Sequence, residues 1–401
     1  MVLCAILFSV PITGSNPDNF SRITLAITGD VMAHAAVMRC AKLHDRGPSN
    51  NYGYDYLFEK VAPLVRGSHI ACCNAEFPVS ARLRQARKSC VFNAPKAMVT
   101  AIKKAGFDVV NIANNHSYDQ GIKGVGETVR AFEEAGLAWV GAGRNRREAH
   151  SRRIMKYGDW RVAFLGASAI LPKRILDSAP DVPRARYFQI EEMLRSIRAA
   201  RRNADIVVVN VHWGYEYSRL PSQREKSYAR MMMDAGADIV AGHHPHVLQP
   251  VIQRRTADGR TSIAAMSLGN FISNQAPRYL YGKSRASYAY QRDGAIITAT
   301  FEKNGEKVSF TKWNAIPLWT WSDRVEKNAC RTCAYNIQVW PLEKAFEDID
   351  LELLSPAIPS KRREYLLRMR TDLQKRGRVT MNHLGVPVNV RSVLSLAETE
   401  R

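Results

Sequence analysis

Residues 95–116, PKAMVTAIKKAGFDVVNIANNH, pass from helix to strand to polar loop in one short stretch. Pro95 suits the first helical turn, where its missing N–H is no loss, and Gly106 suits the residue just past the helix end. The run Asp108 to Ile112 then reads as a buried strand. It is followed by Asn114, Asn115 and His116, with Asp119 close behind. Polar side chains at the tip of an apolar strand need partners, because burying them unpaired costs free energy. Residues 222–246, SQREKSYARMMMDAGADIVAGHHPH, repeat the plan. Ser222 and Glu225 make a capping box, Gly236 stops the helix, and Asp238 to Ala241 form the strand. Three more strands end in the same way: ITLAITGD at Asp30, HIACCNAE at Glu76 and ADIVVVNVHWG at His212. β-Branched runs alternating with helices imply an α/β fold whose sheet is buried on both faces. Ligands in such folds sit beyond the carboxyl ends of the strands. The five strand ends would bring together Asp30, Asn74 and Glu76, Asn115 and His116, His212 and Glu216, then His243, His244 and His246.

The bulk composition sets the frame for that site. The chain has 401 residues, of which 46% are hydrophobic, so a packed core is expected rather than disorder. Lys and Arg number 58 against 37 Asp and Glu, a net charge of +21. That excess suits a polyanionic partner, or it is simply a basic surface fitted to its compartment. The opening MVLCAILFSVPITG is too short to span a bilayer. It resembles the apolar part of a signal peptide, with a buried first strand as the other reading. Of the seven cysteines, Cys4 would leave with such a leader, and the remaining six suit an oxidising compartment. Cys330 and Cys333, in CRTC, lack a second such pair for a zinc site and read as a disulfide. Cys72 and Cys73 read as small core residues.

Organisation along the chain follows the same signals. Residues 1–21 are expected to be a leader, 22–334 one domain, and 335–401 a basic helical tail. Residues 276–292, APRYLYGKSRASYAYQR, read as a long basic, Tyr-rich loop. A hairpin is expected to turn at Asn304-Gly305. In the tail, the stripe Tyr365, Leu366, Met369 and Leu373 is expected to pack on the domain. GIKGVGETV reads as a helix start, not a phosphate cradle, and no nucleophile elbow or Walker loop is present. No nucleic-acid recognition motif appears, and specific nucleic-acid binding is not expected.

A set of Asp, Glu, Asn and His donors suits manganese, iron or zinc, whereas thiolates would mark a structural zinc site. Pro245 holds His244 and His246 two residues apart, so both can face one locus. Glu76 can bridge two ions and Asn115 can offer its carbonyl oxygen. Two ions about 3.5–4 Å apart would generate a hydroxide and clamp a phosphoryl group. His116 beside Asp119 fits a general acid or a stabiliser of a leaving oxygen. His34, His44, His69, His150 and His383 read as structural.

The segments ITGDVMAH (27–34), YDYLFEKVAPLVRGSHIACCNAEFPVS (54–80), AGFDVVNIANNHSYDQG (105–121), VNVHWGYEY (209–217), GADIVAGHHPHVLQP (236–250) and SLGNFISNQ (267–275) together resemble the CapA family of poly-γ-glutamate capsule biosynthesis proteins. That family is similar to the calcineurin-like metallophosphoesterases. The resemblance implies a four-layer α/β/β/α sandwich and one or two divalent ions. It assigns Asp30, Glu76, Asn115, His212, His244 and His246 as metal ligands and His116 as catalytic, with Asp119 beside it. Asn74, Glu216 and Asn270 fall in its motifs without an assigned role, and with His243 they stand as substrate-binding or unassigned residues. The phosphoesterase pattern Asp-x-His is broken, because Asp30 is followed by Val31 and Met32, and Glu76 stands where Asp is usual. His34 is the nearby substitute, offset by four residues. The resemblance further implies an extracytoplasmic protein that handles an anionic polymer, alongside membrane-bound synthase subunits. The alternative is a free-standing, metal-dependent phosphoesterase acting on a phosphate ester.

Overall fold

The helix Lys96–Ala105 ends on Gly106, whose φ of 108° lets the chain turn directly into the next strand. The helix Gln223–Asp234 opens with the Ser222–Glu225 capping box and hands over in the same manner. These units belong to a computed structural model that describes residues 22–81, 91–172, 181–324 and 335–386. The expected leader and the CRTC pair lie outside the described residues. In chain order the strands are β1 (Arg22–Met32), β2 (Ile70–Glu76), β3 (Val109–Asn111), β4 (Ala138–Val140), β5 (Ala142–Gly143), β6 (Arg153–Tyr157), β7 (Trp160–Ser168) and β8 (Arg184–Ala185). They continue as β9 (Ile206–His212), β10 (Ile239–His243), β11 (Leu248–Arg255), β12 (Thr261–Leu268), β13 (Asn270–Ile272), β14 (Asp293–Asn304), β15 (Lys307–Arg324) and β16 (Tyr335–Pro341).

Two sheets carry the fold. The larger runs β16-β15-β14-β1-β2-β3-β4, with β13 pairing alongside the end of β1, and the smaller runs β11-β12-β10-β9-β7-β6. Their central strands are parallel: β1, β2, β3 and β4 in the first, and β7, β9, β10 and β12 in the second. Strand periodicity explains how they stack, since alternate residues face opposite sides. Ile23, Leu25 and Ile27 of β1 meet Val162, Phe164, Ile206 and Val208 of the smaller sheet in one apolar cluster. Val207, Val209 and Val211 point the other way, onto the helices Ile190–Arg201 and Gln223–Asp234. The far face of the larger sheet is covered by Lys96–Ala105, Gly121–Glu134 and their neighbours. Helix, sheet, sheet, helix: the expected four layers are present.

The hairpin turns where expected, with Asn304 opposite Lys307 and Gly305 at φ 59°. Leu366, Met369 and Leu373 bury against Trp319 and Tyr279, so the tail stripe packs on the domain. Helical structure in the tail starts later than Tyr335, however. Residues Tyr335–Pro341 form β16, which pairs antiparallel with β15, and the first tail helix is Leu342–Leu353. GIKGVGETV does open a helix, Gly121–Glu134. Cys72 and Cys73 are free and buried, and burial pushes the Cys72 thiol up to about 12. Among the described residues, no helix is long and apolar enough to cross a membrane.

Candidate metal centre

Close backbone approach fixes the residues that precede two of the donor positions. A Cβ on Gly29, before Asp30, would lie 2.0 Å from the Gly269 carbonyl oxygen. A Cβ on Gly242, before His243, would lie 1.9 Å from that of Met266. Only glycine fits either place. After β10 the chain bends sharply, with His244 at φ 97° and His246 at φ 57°. Those left-handed conformations turn two consecutive odd-spaced imidazoles into the space between the sheet ends.

Glu76 lies at the middle. It is fully buried, and neither carboxylate oxygen has a hydrogen-bond partner among the described residues. Burial pushes its pKa well above the usual carboxylate range, and the nearby charges of Asp30, Glu216 and Asp119 push it further. Its Oε1 lies 3.7 Å from His246 Nε2 and 3.9 Å from both His212 Nε2 and His116 Nε2. An unpartnered buried carboxylate ringed by imidazole nitrogens is what a cation would complete. The ligand atoms form two groups that share it. Asp30, Glu76 and His246 make the first locus, and Glu76, His212 and His244 make the second, each with atoms within 4.8 Å of one another. Asn115 joins the second, its Oδ1 lying 2.8 Å from His212 Nε2. These hard and borderline oxygen and nitrogen donors fit a divalent ion.

The protonation states of Asp30, His212 and His244 agree with that use, while the raised Glu76 needs a cation to hold it ionised. Burial alone would raise the pKa of Asp30, but the imidazoles of His243 and His246 hold it well below the usual range. Burial pushes His212 down, and the neighbouring His244 adds to this. His244 drops to about 4 through burial and the charge of His246. Neutral histidines and an ionised aspartate are the forms that bind metals.

Other expected residues hold the ligands in place. Asn74 donates to Asp30 Oδ1 at 2.8 Å and accepts from Asn111 Nδ2 at 2.9 Å. His243 sits between Asp30 Oδ1, at 3.2 Å from Nδ1, and Asn210 Oδ1, at 3.3 Å from Nε2. Asn270 Oδ1 lies 3.1 Å from His246 Nδ1. Asn114, by contrast, donates to the Ala75 carbonyl at 2.9 Å and locks the loop itself. His116 Nδ1 lies 2.8 Å from Asp119 Oδ2, which also accepts from the Phe92 N–H. Glu216 is exposed, yet one of its oxygens lies among His244 and His246.

His34, read from the sequence both as structural and as the offset substitute for the missing phosphoesterase histidine, lies at the rim of the site. Its Nδ1 accepts from the Asn274 N–H at 3.2 Å, and its ring meets the edge of Phe92, which packs on His116. Burial and the charges of His246 and His116 bring its pKa to about 4. Its position in the loop just beyond the end of β1 is the only sequence signal for it. His44, His69, His150 and His383 make ordinary hydrogen bonds elsewhere.

The profile of the family described as bacterial capsule synthesis protein PGA_cap matches residues 24–275, which span every one of these donors. The chain belongs to this capsule synthesis family. Among its relatives, the capsule biosynthesis protein CapA of Bacillus anthracis is 34% identical over 300 residues, 72% of this chain and 66% of that protein. The PGA biosynthesis protein CapA of Bacillus subtilis is 34% identical over 256 residues, 63% of each. The chain thus spans just under two thirds of the length of either relative. The calcineurin-like phosphoesterase YfkN of Bacillus subtilis is a structural neighbour, with a TM-score of 0.42 at 11% identity over 74% of this chain and 90% of that one.

Proposed function

We propose that the protein is a CapA-type component of capsule synthesis that binds or processes an acidic polymer of the poly-γ-glutamate kind at its metal centre. The reading places it outside the cytoplasmic membrane, next to membrane-bound synthase subunits. The observation that carries it is the pair of donor groups sharing Glu76, set in a chain of the capsule synthesis family. A divalent ion bound there supplies Lewis acidity and an activated water. The chain's own residues do the rest. Asp119 accepts the Nδ1–H of His116, which leaves Nε2 facing the locus as the atom that takes up or releases a proton. Phe92 packs on the same imidazole and shields it from water.

A second reading, a metal-dependent phosphoesterase, is favoured by one feature: the Asn115, His116 and Asp119 loop pairs a donor oxygen with a proton-handling group, as phosphoryl transfer to water requires. The test is to load the full chain with manganese, iron or zinc and offer poly-γ-glutamate, a phosphate monoester and a phosphate diester. Metal-dependent capture or cleavage of the γ-linked polymer, with weak ester turnover, is the expected result. Efficient ester turnover without polymer recognition would replace the first reading by the second.

A further inference from the structure

Residues 275–291 leave the metal centre and come back to it. Asn270 Nδ2 donates to Gln275 Oε1 at 3.0 Å where the loop departs and to the Gln291 carbonyl at 2.8 Å where it returns. The same side chain contacts His246 through its Oδ1 at 3.1 Å. One residue therefore joins both ends of the loop to a candidate ligand, and a loop closed in this way is a compact surface unit. The tail braces it from behind. Tyr279 bonds Asp372, Arg376 Nη1 donates to the Ala286 carbonyl at 3.1 Å, and Tyr279 and Tyr281 bury with Trp319 and Leu366.

What this rigid loop presents outward is unbalanced charge. Residues 276–292 hold Arg278, Lys283, Arg285 and Arg292 and no acidic residue. Arg278, Lys283, Arg285 and Tyr288 are exposed, and the three cations have no side-chain partner among the described residues. In the adjoining tail Arg362 pairs with Glu352, Arg370 with Asp350 and Arg376 with Asp293, while Lys361, Lys375 and Arg378 are exposed. Arg219 stacks on Tyr290 at 4.1 Å, and Glu216, three residues before it in the chain, lies beside His244 and His246. Like charges held close without a counter-charge favour an anionic partner. At the base of the loop, Asn274 Oδ1 and Gln291 Oε1 are buried acceptors without a donor.

We infer that the loop 275–291 is a docking site for an acidic polyamide, whose carboxylates pair with the exposed Arg278, Lys283 and Arg285. The inference rests on the acidic-polymer reading above and adds where the polymer is held. The test is binding of fluorescent poly-γ-glutamate to the full-length protein kept in chelator, so that the ion plays no part. The triple variant Arg278→Glu, Lys283→Glu, Arg285→Glu is compared with a control triple, Arg195→Glu, Arg198→Glu, Arg230→Glu, on the exposed outer helices. The loop triple weakens binding by roughly tenfold or more, the control by less than about twofold, and both keep the wild-type melting temperature. Equal loss in both triples would reduce the effect to diffuse charge and overturn the loop site. Undiminished binding in the loop triple would place the polymer elsewhere and leave the metal-centre reading standing. No binding by the wild type in chelator would overturn the loop site and leave the metal-centre reading, which needs the ion, to the metal-loaded assay. Polyphosphate or phosphatidylglycerol vesicles bound as tightly as the polyamide, and equally sensitive to the loop triple, would make the loop a general anion or membrane contact instead.

Discussion

The two ion loci share one carboxylate but differ in what surrounds it. At the second, Glu76, Asn115, His212 and His244 supply four donors. At the first, Asp30, Glu76 and His246 converge among the described residues, and Asp30 is already engaged by Asn74 at 2.8 Å, by the His244 N–H at 3.3 Å and by two imidazoles. Beyond Asp30, β1 turns Val31 and Met32 into the apolar core under the outer helices. The next donor that a symmetrical centre would use is thereby spent on packing. An ion at the first locus has fewer ligands and must displace more hydrogen bonds, so the second is expected to bind the tighter ion.

Replacing the shared residue has the largest effect. Glu76→Gln lowers affinity at both loci by roughly a hundredfold or more, read as metal per chain by elemental analysis after dialysis. Retention of a full equivalent would show that the loci do not share this residue. Next, His212→Ala removes the tight step of a manganese titration followed by calorimetry, while His246→Ala removes only the weak one. The reverse order would invert the ranking of the loci. Asn115→Ala is a milder change, about tenfold at the second locus alone, because a neutral amide is the weakest donor there.

Acid gives the smallest effect and tests the histidines without metal. His34 and His244 have folded pKa values of about 4 against about 6.5 unfolded, so the unfolded chain binds more protons between those values. Stability is present above about pH 6.5 and is lost as pH falls toward 4, by up to about 1.4 kcal/mol per pH unit for each histidine. His212, also lowered, adds to this, whereas Glu76, raised by burial, works in the opposite direction with a single proton. Thermal melting of the chelated protein from pH 7 to 4.5 is expected to show a falling midpoint. A midpoint that stays level or rises would mean that the cluster is not buried in its neutral form.

Much of this centre was legible in the sequence because strand ends in a two-sided sheet point to one edge. That Asp30, Glu76, Asn115, His212, His244 and His246 converge needed only that rule, whereas their choice as the ligand set over Asn74, Glu216 and His243 came from the family resemblance. Asn74, His243 and Asn270 were visible as motif members, but their work as supports depends on which atom each one reaches. Asn111 and Asn210 went unseen, since a lone amide inside an apolar strand has no periodic signature and gains meaning only from its neighbour across the sheet. His34 was read as structural, and only the packing of Phe92 shows it at the rim. The strand Tyr335–Pro341 was taken into the tail for a similar reason. Its partner β15 is what makes it a strand, and pairing between distant segments leaves little trace in either one alone.

The loop after β10 has one more consequence. His244 and His246 are held at positive φ without being glycine, conformations that cost on the order of 1–3 kcal/mol each and persist only where the surroundings impose them. Here Pro245 between them, the bond from the His244 N–H to Asp30 and the bond between His246 and Asn270 impose them. The spacing of the two imidazoles is thus set by the chain before any ion arrives. A cation entering the locus would meet two imidazoles already placed by the backbone, and would be favoured where its coordination matches that spacing.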